Sequence, residues 1–100
     1  MTIRETENFK NWIRGLKDSI AQAVINARIR RVSGGNFGDV KSVGNNVSEL
    51  RIDYGSGYRV YFTRRGQEIV VLLCGGDKST QDKDIETAKQ IAGKLKGDAI

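Results

Sequence analysis

The chain has 100 residues with no histidine, no proline and one cysteine, Cys74, and its 17 Lys and Arg against 12 Asp and Glu give a formal net charge of +5. A chain of this length forms one domain, here residues 1–100. The missing histidines exclude a Ser-His-Asp triad, a Cys-His dyad and a His-ligated metal site. A zinc site would need carboxylates almost alone, so we expect no metal, and we expect no cofactor.

The amino-terminal residues predict a protein without a targeting segment. Residues 1–12 carry charges throughout and lack the apolar centre of a signal peptide. The longest apolar run, residues 69–74, is far shorter than the roughly 20 residues that cross a bilayer. We therefore expect a cytoplasmic protein with no membrane contact. Its positive charge suits nucleic acid or an acidic protein, or else belongs to a merely soluble basic domain.

The first half of the chain predicts a short strand, a helical hairpin and a connector. Residues 2–6 are a candidate strand, and Asp18 can cap the second helix by accepting from its free amide groups. Residues 34–46 are rich in Gly and Asn but lack the P-loop pattern, so we interpret them as a connector rather than a phosphate-binding loop. Four apolar residues of the first helix share one face: Phe9, Trp12, Ile13 and Leu16.

The second half predicts a three-stranded antiparallel meander and a final helix. Residues 47–54, 58–63 and 67–74 read as strands separated by glycine-containing turns. Gly75 and Gly76 are expected to end the third strand, and Ser79 or Thr80 to cap the helix. The predicted fold is therefore α+β: a helical hairpin packed on a small antiparallel sheet, formed by the short first strand and the meander, with a carboxy-terminal helix.

Period-two alternation separates the first two strands of the meander into an apolar and a polar face. If Tyr54 opposes Tyr58, then Arg51 faces Tyr61 across the hairpin. The third strand is apolar on both faces, so we expect it to be covered on both sides, with Val70 and Leu72 beside the polar face. The polar face collects these side chains: Glu49, Arg51, Asp53, Arg59, Tyr61 and Thr63.

This polar face supplies groups that could cleave RNA without histidine. Arg51 and Arg59 suit the charge of a phosphorane, because guanidinium donors match phosphate oxygens. Lys78, after the third strand, could stabilise charge or donate a proton, and Glu49 is a candidate base. The alternative is an ordinary solvated face whose ion pairs contribute little.

Four more side chains are candidate RNA contacts. The Tyr61 ring could stack on a base, as aromatic rings do with single-stranded RNA. Arg28 and Arg31 lie at the end of the second predicted helix, and Lys41 lies in the glycine-rich segment. The arginines could equally be solvated residues that complement the helix dipole.

The chain resembles the RelE/ParE toxin superfamily, and more closely its HigB-like "addiction module killer" branch. The resemblance covers residues 2–95, and three segments carry it: IRETENFKNWIRGLKD, ARIRRVSGGNFGDVKSVGNNVSELRIDYGSGYRVYF and VVLLCGGDKSTQDKDIETA. It implies a toxin of a type II toxin–antitoxin module. RelE-like members cleave mRNA in the ribosomal A site, whereas ParE-like members poison DNA gyrase.

The resemblance also implies site residues and partners. Arg59 in GYRVYF corresponds to the RelE-like active-site arginine, Lys78 to a basic residue after the last central strand, and Arg51 to basic residues of the preceding strand. The functional Tyr or His that many relatives have next is absent from residues 79–83, which read STQDK. The implied partners are the ribosome, mRNA and a helix-turn-helix antitoxin of the HigA type.

The predicted function is a metal-independent, ribosome-dependent mRNA endonuclease, or mRNA interferase, that inhibits translation and is neutralised by a cognate antitoxin. Two alternatives stay open. One is a ParE-like, non-enzymatic inhibitor of DNA gyrase. The other is a degenerate protein that binds its antitoxin and has no toxicity.

Overall fold

The computed structural model of the chain describes residues 1–95. The predicted domain extends to residue 100, so its last residues lie outside the described range. The sheet has five strands in the order β1-β5-β4-β3-β2. The strands are β1 (Thr2–Glu5), β2 (Val40–Gly44), β3 (Val47–Ile52), β4 (Tyr58–Arg65) and β5 (Ile69–Asp77). The helices are α1 (Glu7–Gly15), α2 (Ser19–Ser33) and α3 (Gln81–Lys94), and a 3₁₀ turn (Lys78–Thr80) precedes α3.

The predicted α+β class and the antiparallel meander β3-β4-β5 are confirmed, and two edge strands complete the sheet. The first predicted strand, β1, pairs in parallel with β5, so the sheet is mixed rather than wholly antiparallel. Strand β2 forms within residues 34–46, the segment that the sequence predicts to be a connector. It is joined to β3 by Asn45 and Asn46, both with positive φ, which are the residues favoured in a tight hairpin turn.

The helical pair covers one face of the sheet. Asp18 caps α2 as predicted, since its Oδ1 accepts from the amides of Ile20 and Ala21. Thr6 caps α1 by accepting from the Phe9 amide. The core on this side joins helix and strand residues: Phe9, Ile25, Val32, Leu50, Ile52, Val60, Phe62, Val70 and Leu72.

Helix α3 covers the opposite face. Its buried Ala88 packs with Val71 and Leu73 of β5. Strand β5 is therefore covered on both sides, as its continuous apolar sequence predicts. The expectation that Val70 and Leu72 lie beside the polar face is wrong, because these two side chains point toward the helical pair. A bulge between the Tyr61 and Phe62 pairings adds one residue to β5.

Two further sequence predictions are corrected by the pairing register. Tyr58 pairs with Ile52 instead of Tyr54, and Arg59 pairs with Arg51, so the hairpin is displaced by two residues from the predicted register. A two-residue displacement leaves every side chain on its predicted face. Gly75 and Gly76 do not end β5, which continues to Asp77.

The two glycines of β5 are needed for close packing. A Cβ at Gly75 would overlap the Trp12 ring, and one at Gly76 would overlap the Asp84 carboxylate. Trp12 also contacts the rings of Phe9 and Tyr58, so it anchors α1 to the sheet. The glycines therefore let an indole and a helix approach the strand.

We expect Gly75→Ala to lower the free energy of unfolding by about 1–3 kcal/mol, because the Trp12 ring must move to admit the methyl group. Gly93→Ala in α3 is the matched control: nothing lies within 4 Å of its added Cβ, and alanine favours the helix by roughly 0.5–1 kcal/mol. Urea unfolding measures both variants. Equal stability of the two would contradict the packing role of Gly75.

Cys74 is expected to be unreactive in the folded protein. Burial, with Asp84 nearby, raises the pKa of its thiol to about 12 from the ordinary 9.0, and the thiolate is the reactive form. Titration with a soluble aromatic disulfide at about pH 8 should be slow in the folded and fast in the unfolded chain. Because the folded pKa is the higher one, stability should fall as pH rises from about 9 to about 12. Rapid labelling of the folded chain would contradict this.

Candidate active site

The polar face of β3 and β4 is organised around a buried carboxylate. Glu49 is 0% exposed. Its Oε1 accepts from Arg51 Nε at 3.0 Å and lies 3.6 Å from Arg59 Nε. Arg51 and Arg59 are directly opposite in the antiparallel register, where like charges repel. One carboxylate therefore compensates two neighbouring guanidinium groups.

The second oxygen of Glu49 is also occupied. Its Oε2 accepts from Tyr61 Oη at 3.4 Å and from Gln81 Nε2 at 2.7 Å. Four donor-bearing side chains, counting the nearby Arg59, thus surround the carboxylate, as the burial of a charge requires. The sequence predicts Glu49 as a base at the edge of the patch, whereas the structure buries its carboxylate against Arg51 and Arg59 and outside the groove described below.

Tyr61 is fully buried, so the structure offers no face of its ring for the predicted stacking on a base. Burial, followed by the charge of Glu49, raises the pKa of the Tyr61 hydroxyl well above its usual value. The hydroxyl consequently remains a hydrogen-bond donor to Glu49. Tyr61 therefore helps to hold the Glu49 carboxylate in place from the interior of the protein.

Arg59 is held by the hairpin loop as well as by Glu49. Its Nη1 donates to the carbonyls of Gly57 and Tyr58 at 3.0 and 3.2 Å, and its side chain is 14% exposed. Its Nε has no hydrogen-bond partner among residues 1–95. The Arg51 side chain is 35% exposed, so Arg51 is the more accessible of the two cations.

An open groove of about 480 Å³ lies over these arginines. It brings together the three cations that the sequence singled out, Arg51, Arg59 and Lys78. Its remaining lining comes from Asp39, Ile52, Asp53, Gly55, Ser56 and Gly57. Cations in a preformed concave site can bind and polarise a phosphate group.

Lys78 is positioned on the groove by a hydrogen-bonded turn. The Asp77 carboxylate accepts from the Ser79 amide at 2.9 Å, from the Ser79 hydroxyl, and from Ser56 Oγ at 3.1 Å. These bonds, that of the Ser79 hydroxyl first, lower the pKa of Asp77. Asp77 thereby ties the 3₁₀ turn that carries Lys78 to the hairpin loop that carries Ser56.

The other predicted RNA contacts are dispersed. Arg28 is buried, and its guanidinium donates to the carbonyls of Phe37, Asp39 and Arg51, while burial lowers its pKa. It therefore holds the loop before β2 in place. Arg31 is exposed and lines a smaller depression beside the groove. Lys41 is exposed on the edge strand β2 and does not line the groove.

Three polar residues of the site carried no chemical role in the sequence interpretation. Asp39 and Asp53 line the groove, and Gln81 reaches Glu49 from α3 although the two are 32 positions apart in sequence. Within residues 1–95, no group of three or more His, Cys, Asp or Glu is suited to hold a metal ion. No helix of the described part of the chain is long and apolar enough to cross a membrane.

The chain is similar to proteins of known sequence and structure. Residues 11–94 match the family described as phage derived protein Gp49-like (DUF891). An uncharacterized protein of Haemophilus influenzae is 56% identical over 93 residues, covering 93% of this chain and 94% of the relative. The free-state structure of a mutant of the E. coli toxin RelE is 15% identical, with a TM-score of 0.64, over 90% of this chain and 96% of that one. The predicted RelE-like fold is therefore confirmed, and the HigB-like branch stays a prediction.

We expect Glu49→Gln to lower the free energy of unfolding by roughly 2–3 kcal/mol, because two adjacent guanidinium groups lose their shared counter-charge. The partial exposure of Arg51 keeps the loss below that of a fully buried pair. Glu86→Gln, an exposed site on α3, is the matched control. If the free energies of unfolding of the two variants differ by less than about 0.5 kcal/mol, Glu49 does not organise the site.

Proposed function

The chain belongs to the Gp49-like family of phage-derived proteins, and from this premise we propose that it is the toxin of a type II toxin–antitoxin module that cleaves mRNA on the ribosome. The observation that carries the proposal is the groove lined by Arg51, Arg59 and Lys78 on a RelE-like fold. We assign it to the HigB-like branch on the sequence resemblance.

The groove suits RNA cleavage by transesterification without a metal. Attack of a 2′-oxygen on the adjacent phosphorus places negative charge on the non-bridging oxygens. Arg59, fixed by Glu49 and by loop carbonyls, offers a guanidinium that needs little reorganisation. Arg51 and Lys78 complete a set of three cations around the phosphate, and Lys78 can protonate the leaving oxygen.

The distribution of net charge along the chain supports two of the proposed partners, ribosomal RNA and an acidic antitoxin. Residues 4–31 carry seven basic and three acidic side chains, whereas residues 39–78 carry six basic and five acidic. Most of the net charge therefore lies on the helical pair, whose exposed cations would steer docking to ribosomal RNA or to an acidic antitoxin. We propose a helix-turn-helix antitoxin of the HigA type as the neutralising partner, and the cytoplasm as the place of action.

We expect Arg59→Ala to relieve growth arrest and to slow ribosome-dependent mRNA cleavage by about 100-fold or more, since a preformed cation on the transition state is lost. Arg64→Ala is the matched control: Arg64 is on the same strand, is exposed and does not line the groove. Primer extension on mRNA from programmed ribosomes measures the cleavage, and thermal unfolding checks the fold.

Three outcomes would contradict the proposal. Intact mRNA with wild-type protein, accompanied by a DNA-damage response in expressing cells, would indicate a gyrase inhibitor. Intact mRNA without toxicity but with antitoxin binding would indicate a degenerate family member. If the Arg59→Ala variant cleaves mRNA as fast as wild type, the groove is not the catalytic site.

A further inference from the structure

We propose that Asp53 is the general base of the groove, a role that rests on the proposed function. The reaction needs a group that removes the proton of the attacking 2′-hydroxyl. With no histidine in the chain, a carboxylate is the side chain of this groove that is basic at neutral pH without first losing a proton. The structure narrows this choice by showing what each carboxylate near the groove already contacts.

Most carboxylates near the groove are engaged elsewhere. Both oxygens of Glu49 accept from buried donors, and its side chain is 0% exposed. Asp77 accepts from Ser79 and Ser56, which lowers its pKa and weakens it as a base. Asp84 accepts from the Thr80 hydroxyl and does not line the groove. Its charge contributes to the raised pKa values of Tyr61 and Cys74.

Asp39 lines the groove, but its carboxylate already balances the charge of Arg28. Its carboxylate is the acidic neighbour that raises the pKa of the buried Arg28 against the effect of burial. Arg28 also donates to the Asp39 carbonyl at 3.2 Å. Asp39 therefore helps Arg28 to hold the loop before β2 in place.

Asp53 differs from these groups in three respects. It is exposed and lines the groove beside Arg51 and Arg59. It immediately follows the last ladder pair, Ile52 with Tyr58, where strand β3 ends at the groove. Its two neighbouring arginines, Arg51 and Arg59, pair with Glu49 rather than with its carboxylate.

A carboxylate among phosphate-binding cations has a clear chemical use. An anion there repels the phosphate in the ground state, and this repulsion falls as the anion accepts a proton in the transition state. The Asp53 carboxylate removes the 2′-hydroxyl proton while the 2′-oxygen forms its bond to phosphorus. The bond from phosphorus to the 5′-oxygen of the next nucleotide breaks, and that oxygen takes a proton from the Lys78 ammonium or from water. The products are a 2′,3′-cyclic phosphate and a 5′-hydroxyl, and Asp53 and Lys78 then exchange protons with solvent.

The test is chemical rescue in single-turnover cleavage of mRNA on programmed ribosomes. Asp53→Ala should cleave about 100-fold more slowly than wild type, a typical contribution of a general base. Added formate should restore the rate in proportion to its concentration, because the groove is open and formate supplies the missing carboxylate. Thermal unfolding should match wild type, since the Asp53 side chain is exposed.

Two comparators make the result specific. Formate should not accelerate Asp39→Ala, whose carboxylate balances Arg28. Glu68→Ala, an exposed carboxylate in the turn before β5 and away from the groove, should cleave at the wild-type rate. Wild-type speed of the Asp53→Ala variant, or slow cleavage that formate leaves unchanged, overturns the role of Asp53 while leaving the endonuclease proposal intact. Failure of wild type itself to cleave overturns both.

Discussion

The candidate site depends on one buried charge. Glu49 lies between Arg51 and Arg59, which the antiparallel register sets directly opposite each other. Without a counter-charge, two guanidinium groups this close would repel. A buried carboxylate is itself costly unless donors surround it. The arginines meet that requirement together with Tyr61 and Gln81. The network is therefore one interdependent unit.

The rest of the fold is arranged so that this unit can exist. Helix α3 covers the face of the sheet that carries Tyr61 and Glu49, and this cover buries the Glu49 carboxylate. Helix α3 reaches β5 closely because Gly76 leaves room for Asp84, and its first residue, Gln81, donates to Glu49. The same close approach carries the 3₁₀ turn with Lys78 to the groove. The packing of α3 and the position of the cations thus depend on the same contacts.

The predictions that succeeded rest on local periodicity, and those that failed rest on contacts between distant residues. The helix cap at Asp18 and the polar face containing Arg51 and Arg59 follow from spacing alone. Strand β2 was missed because its residues become a strand only beside β3, across the Asn45-Asn46 turn. The place of Glu49 on the polar face likewise does not reveal that α3 and Tyr61 cover its carboxylate.

The sequence by itself determined the fold class, the helical pair, the meander and the set of side chains on each face. These follow from alternation and capping, which neighbouring residues decide, and they survive a two-residue change of register. Only the tertiary structure decided which of those side chains are buried and which face solvent. Arg51, Arg59 and Lys78 reach an open groove, whereas Tyr61, Arg28 and Glu49 lie inside. Burial is decided by the docking of α3 and the loop before β2, segments far away in sequence whose positions no local pattern encodes.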